Sequence, residues 1–266
     1  VGFPSEEEQF AAYRTVAERM GEKPVIIRTL DLGGDKFSSA MDLPKELNSF
    51  MGWRAIRFCL TRVDVFKTQL RAILRASTAG NLKVMFPMIS NISEVRKAKD
   101  IFEEVKGDLK GEGIAFNNDM KVGVMIEVPS AAVTSDVIAK EVDFFSIGSN
   151  DLIQYSLAVD RVNERIAYLY QPTHPAIIRL MSHIVEQGHK HNIWVGLCGE
   201  MAADPALAVL LIGLGLDELS VSSVLLPKVK KIIRSVNIAD ARKMALECLN
   251  MSTGDEVIDF INDSLS

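Results

Sequence analysis

Apolar and β-branched residues gather along the chain in short, nearly unbroken runs: PVIIRTLDLGG, LKVMFPMI, KVGVMIEVP, DFFSIGSN, IWVGLCGE and LDELSVSS. A strand with one face in water alternates apolar and polar positions, whereas a parallel strand covered on both faces reads as a continuous apolar run. The runs therefore predict buried parallel strands. The longer segments between them carry helical spacing. SEEEQFAAYRTVAERM opens on Ser5 with acids three residues on, the pattern in which a hydroxyl and a carboxylate satisfy backbone donors at a helix start. SNISEVRKAKDIFEEVKGDLKGEG has the same amphipathic build and ends in glycines. Strands alternating with helices, without a polar linker or low-complexity tract, predict one α/β domain over residues 1–266.

A shorter stretch, WRAIRF, brings the predicted strands to seven, and a closed (β/α)8 TIM-type barrel has eight. The first recognisable element is a helix, about Ser5 to Met20, and the last strand is followed by helical sequence to the end. The missing first strand is therefore expected before Val1, which makes the chain a barrel fragment. A doubly wound open sheet would also accept seven strands, but the glycine-rich nucleotide turn expected after its first strand is not in the sequence.

At 266 residues and 48% hydrophobic content, the chain is long enough for one substantial core. Its 30 basic and 35 acidic residues give a formal charge of -5, which argues against a nucleic-acid or anionic-membrane partner drawn in by a global positive field. An anionic ligand would have to be held by local arginines. No apolar run reaches the roughly 20 residues of a bilayer span, and VGFPSEEEQF is unlike a secretory leader, so a cytoplasmic protein without membrane insertion is expected. Cys59, Cys198 and Cys248 are odd in number, widely spaced and without a C-x-x-C pair, which suggests neither a disulfide framework nor a zinc site.

Parallel α/β folds bind ligands at the carboxyl ends of their strands, so polar residues just past an apolar run are the ones to examine. Arg28 and Asp31 close the first run, Arg54 lies in the short one, and Glu127 interrupts VMIEVP. Asn150 and Asp151 end FFSIGSND, and Cys198 ends WVGLCGE. Singly, each has an ordinary structural reading. Either arginine could pack its stem and leave its head in water, Glu127 could pair with a core arginine, Asn150 or Asp151 could cap a helix beginning near Leu152, and Cys198 could be a small buried hydrophobe. Delivered together to one end of a barrel, they point to chemistry. Two carboxylates, Glu127 and Asp151, suit a hard ion that keeps waters and takes oxygens from a phosphorylated substrate, which describes Mg2+ better than zinc. Arg28, Arg54, Arg75 and Arg161 supply planar, permanently charged forks for phosphate and carboxylate. The implied ligand is small and polyanionic. GGDK at Gly33 to Lys36 could be a phosphate-contacting turn, but as a weak signal it reads first as a plain turn. His183, His189 and His191 fall in a helix and its end and are expected to face solvent; His174 reads as a local hydrogen-bonding residue, and Cys59 and Cys248 as core.

IRTLDLGGDK, NSFMGWRAIR, QLRAILRAS, VMFPMIS, GVMIEVPSAA, KEVDFFSIGSNDLIQYSLAVDR, YLYQPTHPA and GLCGEM together closely resemble the C-terminal domain of Enzyme I of the bacterial sugar phosphotransferase system. Pyruvate phosphate dikinase and phosphoenolpyruvate synthase share the barrel and the CGE motif, but SEEEQFAAY and GGDK look like those of Enzyme I. The resemblance implies a barrel that binds phosphoenolpyruvate and Mg2+ and forms a homodimer. It further implies that the phosphoryl group passes to a histidine of a separate N-terminal domain, and through it to the small histidine phosphocarrier protein, leaving pyruvate. Position by position, it gives Arg28, Arg54 and Arg161 as substrate-binding arginines with Arg75 in the same set. Glu127 and Asp151 become metal ligands, Asn150 a substrate contact and Cys198 the group that protonates the enolate. Asn48-Ser49-Phe50 stands where Asn-Pro-Phe is usual, and Ser149 where threonine is usual; neither touches a named ligand. A dikinase or synthase barrel fragment, or a module that binds phosphoenolpyruvate without turnover, are the other readings.

Overall fold

A computed structural model describes residues 2–33 and 50–265. The first helix, α1 (Glu6–Met20), starts as its sequence dictates: Glu8 N–H donates to Ser5 Oγ at 3.3 Å while Ser5 N–H donates to a Glu8 carboxylate oxygen at 2.8 Å. Strands β1 (Val25–Arg28), β2 (Leu82–Phe86) and β3 (Val122–Ile126) are parallel neighbours in chain order. Between β1 and β2 lie α2 (Ala55–Thr61) and α3 (Val63–Ala76), and between β2 and β3 lies α4 (Ile92–Gly111). Asn91 caps α4 by accepting from Ser93 and Glu94 N–H, and Val95, Ala98, Phe102, Val105 and Leu109 bury the helical stripe that the periodicity predicts.

The short α5 (Pro129–Val133) and α6 (Ser135–Ile138) follow β3. Then come β4 (Phe144–Gly148), α7 (Ser149–Leu157), α8 (Pro175–Lys190), β5 (Trp194–Cys198), α9 (Pro205–Gly213) and β6 (Glu218–Ser220). The helices α10 (Leu226–Ser235), α11 (Ile238–Cys248) and α12 (Gly254–Leu265) close the chain. Strands β4, β5 and β6 are again parallel and in chain order. By contact density the chain falls into two units, Val1–Met125 and Ile126–Ser266. Every residue of β3 and β4 is buried, as continuous apolar runs require, while β1 and the short β6 are more exposed.

One predicted strand is a helix. WRAIRF was expected to be the seventh strand, but Ala55, Ile56, Phe58 and Cys59 form the buried stripe of α2, and Arg57 turns outward to donate to Met51 O at 2.9 Å and Gly52 O at 3.3 Å. A six-residue apolar stretch fits either period, and burial on one helical face decided it. The described residues therefore hold six strands. No helix among them is long and apolar enough to cross a membrane.

Candidate functional site

In the first unit, β1 ends on Arg28 and the following segment brings Asp31 between two guanidinium groups. Asp31 Oδ2 lies 3.1 Å from Arg28 Nη1, and Asp31 Oδ1 accepts from Arg54 Nη2 at 2.9 Å. Two backbone ties hold this segment: Ala55 N–H donates to Leu32 O at 3.2 Å, and Leu30 N–H to Gln69 Oε1 of α3 at 2.9 Å. Ala55, directly after Arg54, has φ 51°, so the arginine sits at a strained turn of the kind found at binding sites. The Arg54 and Asp31 side chains are each 11% exposed and Arg28 is 47% exposed. Asp31 thus orients Arg54, while Arg28 keeps much of its fork in solvent. Two guanidinium forks beside one carboxylate are groups suited to an anion. Asp31 pairs with both guanidinium groups from a largely buried position, so Asp31→Ala should lower stability by about 3 kcal/mol in urea denaturation, with Asp31→Glu recovering part of it.

Arg75 does not join this cluster. It was expected with the other arginines, but it lies in the last turn of α3, just before β2 begins, and therefore at the opposite end of that strand from its carboxyl terminus. Its Nη1 is 2.6 Å from both Glu6 Oε1 and Glu7 Oε1, and its guanidinium carbon lies 4.3 Å from the centre of the Phe10 ring. With Arg71, which reaches Glu6 and Glu112, it fastens α1 to α3. Cys59 is core, as expected: burial foremost, helped by the Asp31 charge, pushes its thiol up to about 12. Of GGDK, only Gly33 is among the described residues; Asn48 and Ser49 also lie outside them.

In the second unit, β4 and β5 pair with Gly148 level with Cys198, so α7 and the turn after Cys198 start side by side. Gly199 has φ 121°, and a Cβ there would fall 2.2 Å from Ser149 Oγ and 3.0 Å from Asn150 Oδ1. Only glycine fits. Around that contact, Ser149 Oγ donates to Cys198 O at 3.0 Å, and Glu200 N–H donates to Asn150 Oδ1 at 3.1 Å. Gly199→Ala should therefore disturb Asn150 and Cys198 together, and its thermal unfolding midpoint should fall by a few degrees, about 2–4 °C per kcal/mol of strain in a domain of this order of size.

The N-cap of α7 is Gly148, with no side-chain cap, so neither Asn150 nor Asp151 serves as the helix cap. Asp151, 8% exposed, sits in the first turn, where the helix dipole favours a negative charge, and Glu127, 3% exposed, directly follows β3. The Cys198 thiol is half-buried: it donates to Ile147 O at 3.7 Å and accepts from Ser146 Oγ at 3.8 Å. Arg161 N–H donates to Gln154 Oε1 at 3.2 Å, and Arg161 Nη1 is buried with no hydrogen-bond partner among the described residues.

Tyr170 had been given no role in the sequence. It stands at the end of the short turn Ala167–Leu169, and its hydroxyl donates to Asn150 Oδ1 at 3.4 Å. Burial, against the opposing charge of Arg161, pushes the phenol up to about 12. Its only signal in the sequence is its place in YLYQPTHPA.

The histidines sort as local structure. His174 caps α8 by accepting from Ala176 N–H at 3.1 Å, exposed His189 pairs with Asp217 at 2.9 Å, and His191 bonds to Asp136 O at 3.0 Å. His183 departs from the expected solvent position: it is half-buried on α8, and its Nε2 is shielded from water.

No group of three or more His, Cys, Asp or Glu side chains among the described residues could hold a metal ion. Two buried carboxylates, Glu127 and Asp151, are nevertheless hard oxygen donors, and a pair that leaves the other positions to water and substrate oxygens fits Mg2+ rather than zinc.

Residues 1–238 match the family described as PEP-utilising enzyme, PEP-binding domain. The chain is 54% identical over 261 residues to the phosphoenolpyruvate-protein phosphotransferase of Priestia megaterium, covering 98% of this chain and 46% of that protein. The protein of the same name from Bacillus subtilis is 52% identical and that from Haemophilus influenzae 50%, each match covering 98% of this chain and 46% of the relative. The chain thus spans about half the length of these relatives. Among solved structures, a citrate lyase from Burkholderia xenovorans aligns at 13% identity and a TM-score of 0.48, over 75% of this chain and 67% of its own. With a family match over residues 1–238, the chain belongs to the PEP-utilising enzymes and carries their PEP-binding domain.

Proposed function

We propose that the chain forms part of a (β/α)8 barrel in a cytoplasmic, homodimeric phosphoenolpyruvate-protein phosphotransferase, and that it binds phosphoenolpyruvate with Mg2+. The observation that carries this reading is Arg161: a buried guanidinium nitrogen, Nη1, without an acceptor among the described residues, is costly unless an anion completes it. The family match and the relatives' names supply the anion's identity.

In this reading Arg28, Arg54 and Arg161 bind the phosphate and carboxylate, and Asn150 contacts the substrate. Glu127 and Asp151 would hold Mg2+, which, when bound, supplies positive charge to the phosphoryl oxygens and the developing enolate. The phosphorus–oxygen bond of phosphoenolpyruvate breaks as the phosphoryl group passes to a histidine of a separate N-terminal domain, the donor for the histidine phosphocarrier protein. The enolate left behind takes a proton at its methylene carbon from the Cys198 thiol, giving pyruvate, and the thiolate recovers its proton from water. An unperturbed thiol has a pKa near ~8.5 and is mostly protonated at neutral pH, so it can serve as this acid. Three free thiols suit a reducing cytoplasm.

Calorimetric titration of the chain with phosphoenolpyruvate, with and without Mg2+, tests the reading, and no Mg2+-dependent binding would sink it. Arg→Lys at position 28, 54 or 161 keeps the charge but loses the fork, and each should weaken binding about tenfold where contact is bidentate. Arg75→Lys, at the α1–α3 contact, should leave the affinity unchanged. Full affinity in all three of the first variants would show the clamp to be misassigned.

A further inference from the structure

We propose that Tyr170 is a positioning residue that fixes which end of the Asn150 amide meets the substrate, an inference that rests on the phosphoenolpyruvate reading and extends it to a side chain outside the arginine, carboxylate and thiol set. An asparagine amide has an acceptor oxygen at one end and a two-donor nitrogen at the other. Against a phosphate or carboxylate, one orientation attracts and the other repels.

The donors around Asn150 decide between them. The Arg161 guanidinium has donors and no acceptor, and its charge favours a phenolic oxygen turned toward it, so it cannot take the hydroxyl hydrogen. The hydroxyl hydrogen is then left for Asn150 Oδ1, 3.4 Å away. Glu200 N–H reaches the same oxygen at 3.1 Å. A flipped amide would set its own donors against both of these donors. Oδ1 is therefore held at the protein side and Nδ2 faces the other way, as an anion requires. Burial holds the phenol's pKa far above neutrality, so the donor persists over the whole physiological range.

Tyr170→Phe removes the hydroxyl and keeps the ring, so the fold should hold and the thermal midpoint should move little. Phenylalanine leaves Glu200 N–H as the one remaining donor to Oδ1, and phosphoenolpyruvate affinity by calorimetry at saturating Mg2+ should fall about five- to tenfold, the worth of one hydrogen bond. Mg2+ affinity measured without phosphoenolpyruvate should not change. Tyr168→Phe, at a tyrosine 73% exposed in the adjoining turn, should behave as wild type. The deciding measurement is a double-mutant cycle: in an Asn150→Ala background, Tyr170→Phe should cost nothing further. Equal affinity of wild type and Tyr170→Phe overturns the inference, and so does a loss that adds in full to that of Asn150→Ala. Absence of any Mg2+-dependent phosphoenolpyruvate binding by wild type overturns the functional reading itself, and this inference with it, so the two failures are told apart by the wild-type titration.

Discussion

Replacing Cys198 by alanine should leave phosphoenolpyruvate and Mg2+ binding intact while the exchange of pyruvate methyl protons with solvent falls about 10²- to 10⁴-fold, the usual contribution of a positioned acid. The thiol stands at the end of β5, half-buried rather than sealed, with Ser146 Oγ donating to its sulfur and Ile147 O accepting its proton. This geometry fixes the side chain without burying it. The other two thiols differ. Cys59 is fully buried with its pKa pushed up to about 12, and Cys248 is buried in α11 with burial pushing it up to about 11. Cys59→Ala therefore serves as the control: it should cost packing energy and leave exchange at the wild-type rate per folded molecule. Exchange is read by proton NMR in deuterated buffer and needs no phosphoryl acceptor. If Cys198→Ala and Cys59→Ala exchange equally, another group delivers the proton and the role assigned to Cys198 is wrong.

The second large effect is expected at the carboxylates. Glu127→Gln and Asp151→Asn keep shape and hydrogen-bonding capacity but remove the charge a hard divalent ion needs. Changing the groups that merely support metal ligands costs about 10- to 100-fold in affinity, so losing a ligand's charge should cost about a hundredfold or more. Each variant should therefore lose the Mg2+-dependent part of phosphoenolpyruvate binding while retaining its fold, checked by calorimetry beside a thermal scan. These changes should show a different signature from those at the arginines. Arg28→Lys and Arg54→Lys should weaken the substrate at every Mg2+ concentration, whereas the carboxylate variants should bind it as wild type does in the presence of a chelator. If Mg2+ still improves binding in both carboxylate variants, the metal is held elsewhere.

Where most of the candidate residues stand was legible along the chain because the relevant information is local. Unbroken apolar runs mark strands covered on both faces, and the residue after each run stands at a carboxyl end whatever the rest of the fold does. That logic places Arg28, Glu127, Asn150, Asp151 and Cys198 at strand ends or the helix start just beyond, where the structure has them. The capping box of Ser5 and Glu8 and the Asn91 cap are equally local, spanning three residues or fewer. The failures all involve contacts between distant residues. Arg75 in its local context is as good a phosphate fork as Arg54, and only its pairing with Glu6, 69 positions away, shows that its charge is already used. WRAIRF was short enough to fit either period until one helical face was buried. Tyr170 carries no local signal, since its significance lies in reaching Asn150, 20 positions earlier. Strand ends are set by the near neighbours in the chain, so the sequence alone determined where chemistry could stand; which charge is satisfied by protein and which is left for a ligand depends on the partners that folding brings within about 3 Å, and only the tertiary structure decided that.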